Sequence, residues 1–149
     1  MPKQLNIRIS DSEMASFRRW AEAQTLEKKE EIKTIVRSTV YSIDRRAKMF
    51  APTDKSYLKS SVHPRFTADG LGGSVYVFRD YAPYVEFGTG KNAAQFTSQN
   101  PDIAEYAMEF FVSGKGKNKA QPFLFPAVRI SMKEMEAKMK QIGFNERSI

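Results

Sequence analysis

Two stretches, YAPYVEFGTG from Tyr81 to Gly90 and QPFLFPAV from Gln121 to Val128, decide how this chain is read. The first couples β-forming aromatics to Gly88 and Gly90, and glycine is favoured where the backbone takes positive φ or runs close to another segment. The second opens a helix with proline. Glu86 sits among Tyr84, Val85 and Phe87, where an unpaired charge is costly to bury. It needs a partner. A lysine or arginine of the same chain is one candidate, and a salt bridge or capping bond across a subunit contact is the other.

Immediately upstream, Leu58 to Phe66 and GGSVYVFRD, Gly72 to Asp80, are rich in β-formers and are separated by the turn-forming run Ala68 to Gly73. They predict a β-hairpin, with APYVEFGTG as a third strand beside it. In the second strand Val75 and Val77 share one face while Tyr76 and Phe78 share the other. One face is expected to meet a long helix. The other meets a second copy of the protein or a second covering helix.

Toward the N-terminus, LNIRI at Leu5 to Ile9 alternates like a short strand. Ser10 with Glu13, or Asp11 alone, then offers an N-cap to a helix carrying Met14, Phe17, Trp20 and Ala21. After a polar join at Gln24 to Lys28, the apolar stripe resumes as Ile32, Ile35, Val36, Thr39, Val40, Ile43, Ala47 and Phe50. Pro52 ends it. The pattern leaves open whether this is one helix or two with a bend at Gln24 and Thr25. Toward the C-terminus, Pro101 to Val112 has helical spacing, and SGKGKNKA at Ser113 to Ala120 is a mobile loop by composition. Phe123 to Ile142 is an amphipathic helix with Leu124, Val128, Met132, Met135 and Met139 on its apolar side, stopped by Gly143. The fold class expected is α+β: a long N-terminal helix and a C-terminal helix packed on a small, mainly antiparallel β-sheet.

With 149 residues, residues 1–149 are expected to form a single domain with a mobile loop at about 113–120, long enough to bury a core without staples. The absence of cysteine excludes a disulfide framework and thiolate zinc sites. No apolar run is long enough for a membrane span, and the polar start MPKQLNIRIS lacks a secretory core, so a cytoplasmic site of synthesis is expected. A net charge of +7 points to an anionic partner, either nucleic acid or an acidic protein surface.

The tests for chemistry fail one by one. GTGK at Gly88 to Lys91 has Val85 where a phosphate loop needs its first glycine, and Asn92 where it needs Ser or Thr. His63 is the sole histidine, so no imidazole pair exists for a metal. A Mg²⁺-dependent nuclease needs gathered carboxylates, whereas Asp54, Asp69, Asp80, Glu86 and Asp102 fall mostly in turns. The aromatics follow core patterns rather than an isolated base-stacking platform. No catalytic, cofactor or metal site is therefore expected, and the chain is read as a non-enzyme. Lys115, Lys117 and Lys119 form a loop able to touch DNA phosphates or a partner.

Taken with APTDKSYLKSSV at Ala51 to Val62, the two opening stretches give three ordered motifs running from about Ala47 to the C-terminal helix. In this order they resemble the small tail-completion proteins of long-tailed bacteriophages, minor tail components that join the tail tube to the head connector. Pro52, Leu58, Lys59 and Ser60 fit the family's first motif; Ser56 stands where glycine is usual, and the spacer from Lys91 to Ala120 is long. The resemblance implies a structural virion protein of the tail or neck, assembled in the bacterial host cytoplasm as a sixfold ring around the DNA channel. Its implied partners are other copies of itself, a head-connector or stopper protein, a tail tube or tail terminator protein, and passing genomic DNA, with no membrane. It also implies that Tyr84, Glu86, Phe87, Gly88, Thr89 and Gly90 shape a subunit contact, and that Pro122, Phe123 and Pro126 fix the start of the last helix. The alternative reading is a basic nucleic-acid-binding module or small regulator.

Overall fold

The computed structural model describes residues 11–52, 56–79, 82–88 and 120–144. Its organising element is a long helix, α2 (Leu26–Phe50), preceded by α1 (Asp11–Glu22). The open question about this region resolves as two helices. Thr25 is extended and its hydroxyl accepts the Lys28 N–H, starting α2 afresh, while the Gln24 side chain donates back to the Trp20 carbonyl and closes α1. Ile32, Val36, Thr39, Val40 and Ala47 form the buried stripe of α2. Its end falls where Pro52 requires, with Ala51 already extended and its N–H bonded to the Ala47 carbonyl.

A single turn of helix, α3 (Ser56–Ser60), follows, then strands β1 (Val62–Phe66) and β2 (Gly73–Val77), paired antiparallel with Val62 opposite Val77 and Phe66 opposite Gly73. The hairpin is as expected, but its first strand begins later than the β-formers from Leu58 suggest. Serine hydroxyls explain the difference: Ser60 Oγ donates to the Tyr57 carbonyl and Ser61 Oγ to the Leu58 carbonyl, so a helical turn is completed before the strand starts. The inner face of the hairpin lies on α2. Gly73 marks the closest approach, since a Cβ there would stand 2.6 Å from Val40 Cγ2 and 2.9 Å from the Arg65 carbonyl oxygen.

The third strand is not formed. Ala82–Phe87 is a short helix, α4, despite its β-forming composition. Proline at its second position costs no hydrogen bond in a first helical turn. The turn places Ala82 and Glu86, four residues apart, on one buried side. Tertiary packing here overrides propensity. The last helix, α5 (Leu124–Gln141), runs along α2. Gly143, at φ +104°, ends it, and the Phe144 N–H returns to the Met139 carbonyl, bringing the Phe144 ring within 4.9 Å of Trp20 and 5.7 Å of Phe17.

The architecture is thus α+β, a two-stranded antiparallel sheet packed with two long helices. Ala47, Leu58, Val62, Val77, Phe87, Phe123, Leu124 and Phe125 share one core cluster, and Ala21, Ile32, Val36, Leu71 and Met139 a second. Arg46 of α2 joins these helices from outside the core, reaching both oxygens of Glu134 on α5 at 2.5 and 3.0 Å and the Ser131 hydroxyl at 2.9 Å. The expected strand Leu5 to Ile9 and helix Pro101 to Val112 lie outside the described residues, as does the lysine loop at 113–119. No helix among the described residues is long and apolar enough to cross a membrane.

Candidate functional site

Helix α5 begins without a side-chain cap of its own, because its N-cap position is Phe123. A helix start leaves up to four amide N–H groups without an intrahelical acceptor. Here the fourth is Pro126, which has none, so three remain. Glu86 takes all three: Oε2 accepts from Phe123 at 2.8 Å and from Leu124 at 2.9 Å, and Oε1 accepts from Phe125 at 2.8 Å. The carboxylate is fully buried and lies at the positive end of the helix dipole. The hydrogen-bond partners of Glu86 are main-chain amides of the same chain, where a lysine or arginine of this chain, or a salt bridge or capping bond across a subunit contact, is expected from the sequence. Arg129, one turn into α5, adds favourable charge.

Two opposed influences act on Glu86. Burial pushes its pKa up and is the larger; the three amide bonds, then Arg129, pull it down. A carboxylate with both oxygens engaged by donors is the form this geometry fits, because a protonated oxygen would turn a donor toward an amide N–H.

The junction also ties together the ends of the intervening stretch. The Gln121 N–H donates to the Val85 carbonyl at 2.8 Å, and the Phe87 and Phe125 rings meet at 5.5 Å. Gly88, at φ +77°, sits directly after α4 with its N–H bonded to the Tyr84 carbonyl. That left-handed conformation is the usual exit from a helix and disfavours any side chain with a branched Cβ. Glu86, Phe87, Gly88 and Phe123 are buried within the chain, while Tyr84 and Pro122 are half-buried. The structure brings these six together at one junction. Thr89, Gly90, Lys115, Lys117 and Lys119 lie outside the described residues.

Of the carboxylates considered for metal binding, Asp69 belongs to the hairpin turn. Its Oδ1 accepts from the Thr67 hydroxyl at 2.6 Å and the Leu71 N–H at 3.0 Å, and its Oδ2 pairs with Arg18. These contacts, the Thr67 bond foremost, lower its pKa to about 2. Asp54, Asp80 and Asp102 lie outside the described residues. Among the described residues no group of three or more histidine and carboxylate side chains is placed to hold a metal ion.

One feature was not singled out from the sequence. On the outer face of the hairpin, Arg65 lies over the Tyr76 ring at 4.5 Å and the Phe78 ring at 5.3 Å, with His63 5.7 Å from Phe78. The alternation that puts Tyr76 and Phe78 on one face was legible. The contribution of Arg65 depends on the register that sets it opposite Ser74, beside Tyr76. Compared with protein-family models, curated proteins and solved structures, the chain matches none.

Proposed function

We propose that this chain is a structural joining protein, acting as a ring subunit between a phage tail tube and the head connector. The observation that supports the reading is the coupling of its two signature stretches. YAPYVEFGTG and QPFLFPAV are distant in sequence, yet the Glu86 carboxylate binds the amides that open α5. The most chemistry-bearing group of the region is thereby committed to holding shape, as a scaffold requires. Buried Glu86, Phe87 and Phe123 set the backbone of the junction, and half-buried Tyr84 and Pro122 present its surface. A ring built by repeating one head-to-tail contact needs such a rigid element, because small angular errors accumulate around the circle.

The test is electron microscopy of particles from a host in which this gene carries an early stop codon. Filled heads accumulating apart from tails are expected. Normally joined virions would overturn the reading, and so would sequence-selective DNA binding by the free protein at physiological salt, which would favour the regulator.

A further inference from the structure

We infer that the outer face of the β1–β2 hairpin is a docking site for an acidic protein segment, with Arg65 as its anchor. The inference stands on the hairpin alone and goes beyond the joining role, which would supply only its setting.

The inner face of the hairpin is occupied by α2, but the outer face is open: Phe78 is 39% exposed and neighbouring Tyr57 is 71% exposed. Among the described residues, the charges of the strands and of the segments flanking them are basic. In α3, β1, β2 and the residue pair after β2, the charged side chains are Lys59, Arg65 and Arg79, and the turn's Asp69 is already held by Arg18, Thr67 and the Leu71 amide. Arg79 stacks on Tyr57 at 5.5 Å just as Arg65 stacks on Tyr76 and Phe78.

Arg65 is the informative residue. It is exposed, and its guanidinium lies over rings and makes no hydrogen bond or ion pair among the described residues. A guanidinium whose carbon lies over aromatic rings makes a cation–π contact without spending its N–H donors, which stay free for the fork that matches a carboxylate. Stacking has also fixed a side chain that would otherwise lose rotamer freedom on binding. Arginine and tyrosine over a desolvating aromatic bed is the composition of binding hot spots between proteins.

Three occupants compete. Single-stranded nucleic acid would stack bases on Tyr76 and Phe78, but Arg65 already covers those rings, so a base would have to displace it. A second copy would bring another chain of net charge +7 against a basic face, which repulsion disfavours. An acidic protein segment meets both conditions: its carboxylate takes the guanidinium edge and its apolar side chains cover the ring margins.

The test uses the full chain and a short fluorescein-labelled peptide of glutamate interleaved with leucine, read by anisotropy at physiological salt. Arg65→Ala should weaken binding about tenfold, the scale of a hot-spot truncation, and Arg65→Lys should recover little because the fork is lost. Arg37→Ala, which removes an exposed charge from α2, is the control for net charge. Equal losses in Arg65→Ala and Arg37→Ala would overturn the site. So would an oligothymidine probe whose binding, rather than the peptide's, depends on Arg65, or a self-association measured by sedimentation and abolished by Arg65→Glu. These outcomes leave the microscopy of particles untouched, so the two proposals fail separately.

Discussion

The α4–α5 junction and the outer face of the hairpin both place a charged side chain beside aromatic rings, yet they use the charge in opposite ways. At the junction, Glu86 is fully buried and accepts three hydrogen bonds from its own chain. On the hairpin, the Arg65 side chain is exposed and lies over Tyr76 and Phe78, and its guanidinium makes no hydrogen bond among the described residues. The difference follows from solvent. A buried charge is tolerated only when its bonding capacity is filled, so Glu86 is consumed by the fold. An exposed guanidinium is hydrated, and it can exchange that water for a partner at little structural cost. Burial therefore sorts the two regions into one that sets shape and one that remains available to bind.

The strongest way to break this contrast is Glu86→Ala. It would strip three buried amides of their acceptor and remove the charge from the start of α5, a loss of about 3–5 kcal/mol by analogy with broken buried charge interactions. Domains of this size are commonly stable by only about 5–15 kcal/mol. Urea denaturation should show a large fall in midpoint. Glu86→Gln should lose less, since its carbonyl oxygen still accepts, although its NH₂ faces amide donors. A midpoint unchanged in Glu86→Ala would mean that water or rearrangement satisfies the amides, and the junction would no longer qualify as a rigid element.

Next in size is Gly73→Ala, which probes how the hairpin is held so that its outer face is presented. The added methyl meets Val40 and, less forgivingly, the Arg65 backbone carbonyl. A loss of about 1–3 kcal/mol is expected, the range for overpacking a core. Peptide binding at Arg65 should weaken along with stability, because the carbonyl that must move belongs to the same residue. A variant with wild-type stability would show that the strand shifts on α2 more freely than its packing indicates.

How much of this was legible beforehand varies with the range of the interaction. Periodicity placed α2 and α5, Pro52 stopped the first and Gly143 the second, because these signals act within a few residues. The β-forming letters of Tyr84, Val85 and Phe87 misled, since α4 is stabilised by what Glu86 reaches in α5, a contact no local pattern encodes. The need of Glu86 for a partner was visible from its apolar neighbours. Main-chain amides as that partner were not, although Phe123 and Pro126 carried a hint: a helix start with no capping side chain and one missing donor asks for an external acceptor. Arg65 escaped notice because nothing in VHPRF marks it until strand register sets it beside Tyr76.

Glu86 and Asp69 should separate in acid. For Glu86 burial raises the folded pKa above its ordinary value, so ionising it costs stability as pH rises through the raised value, a cost that the three amide bonds and Arg129 reduce. Asp69 has the opposite sign. Its folded pKa is lowered to about 2, chiefly by the Thr67 bond, so its contribution is present above the ordinary aspartate value of about 3.9 and is lost as pH falls toward 2. Melting wild type and Asp69→Asn across that interval should show their difference shrinking as pH falls. Its size is modest, because Asp69 remains 43% exposed and water screens its pairing with Arg18. A difference that grows on acidification would reverse the assignment.

The smallest expected change in stability, from Arg65→Ala, is the sharpest test of the contrast. Removing the side chain forfeits a stacking contact at an exposed site, about 0.5–1 kcal/mol, and leaves no buried group unpaired. The thermal transition should move by only a few degrees while binding of the acidic peptide falls about tenfold. Glu86→Ala should do the reverse, with a large change in stability and a binding defect that follows unfolding. If Arg65→Ala instead destabilised the chain as strongly as Glu86→Ala, its guanidinium would be part of the fold's own support. Exposure would then have failed to distinguish a group held ready for a partner from one already committed.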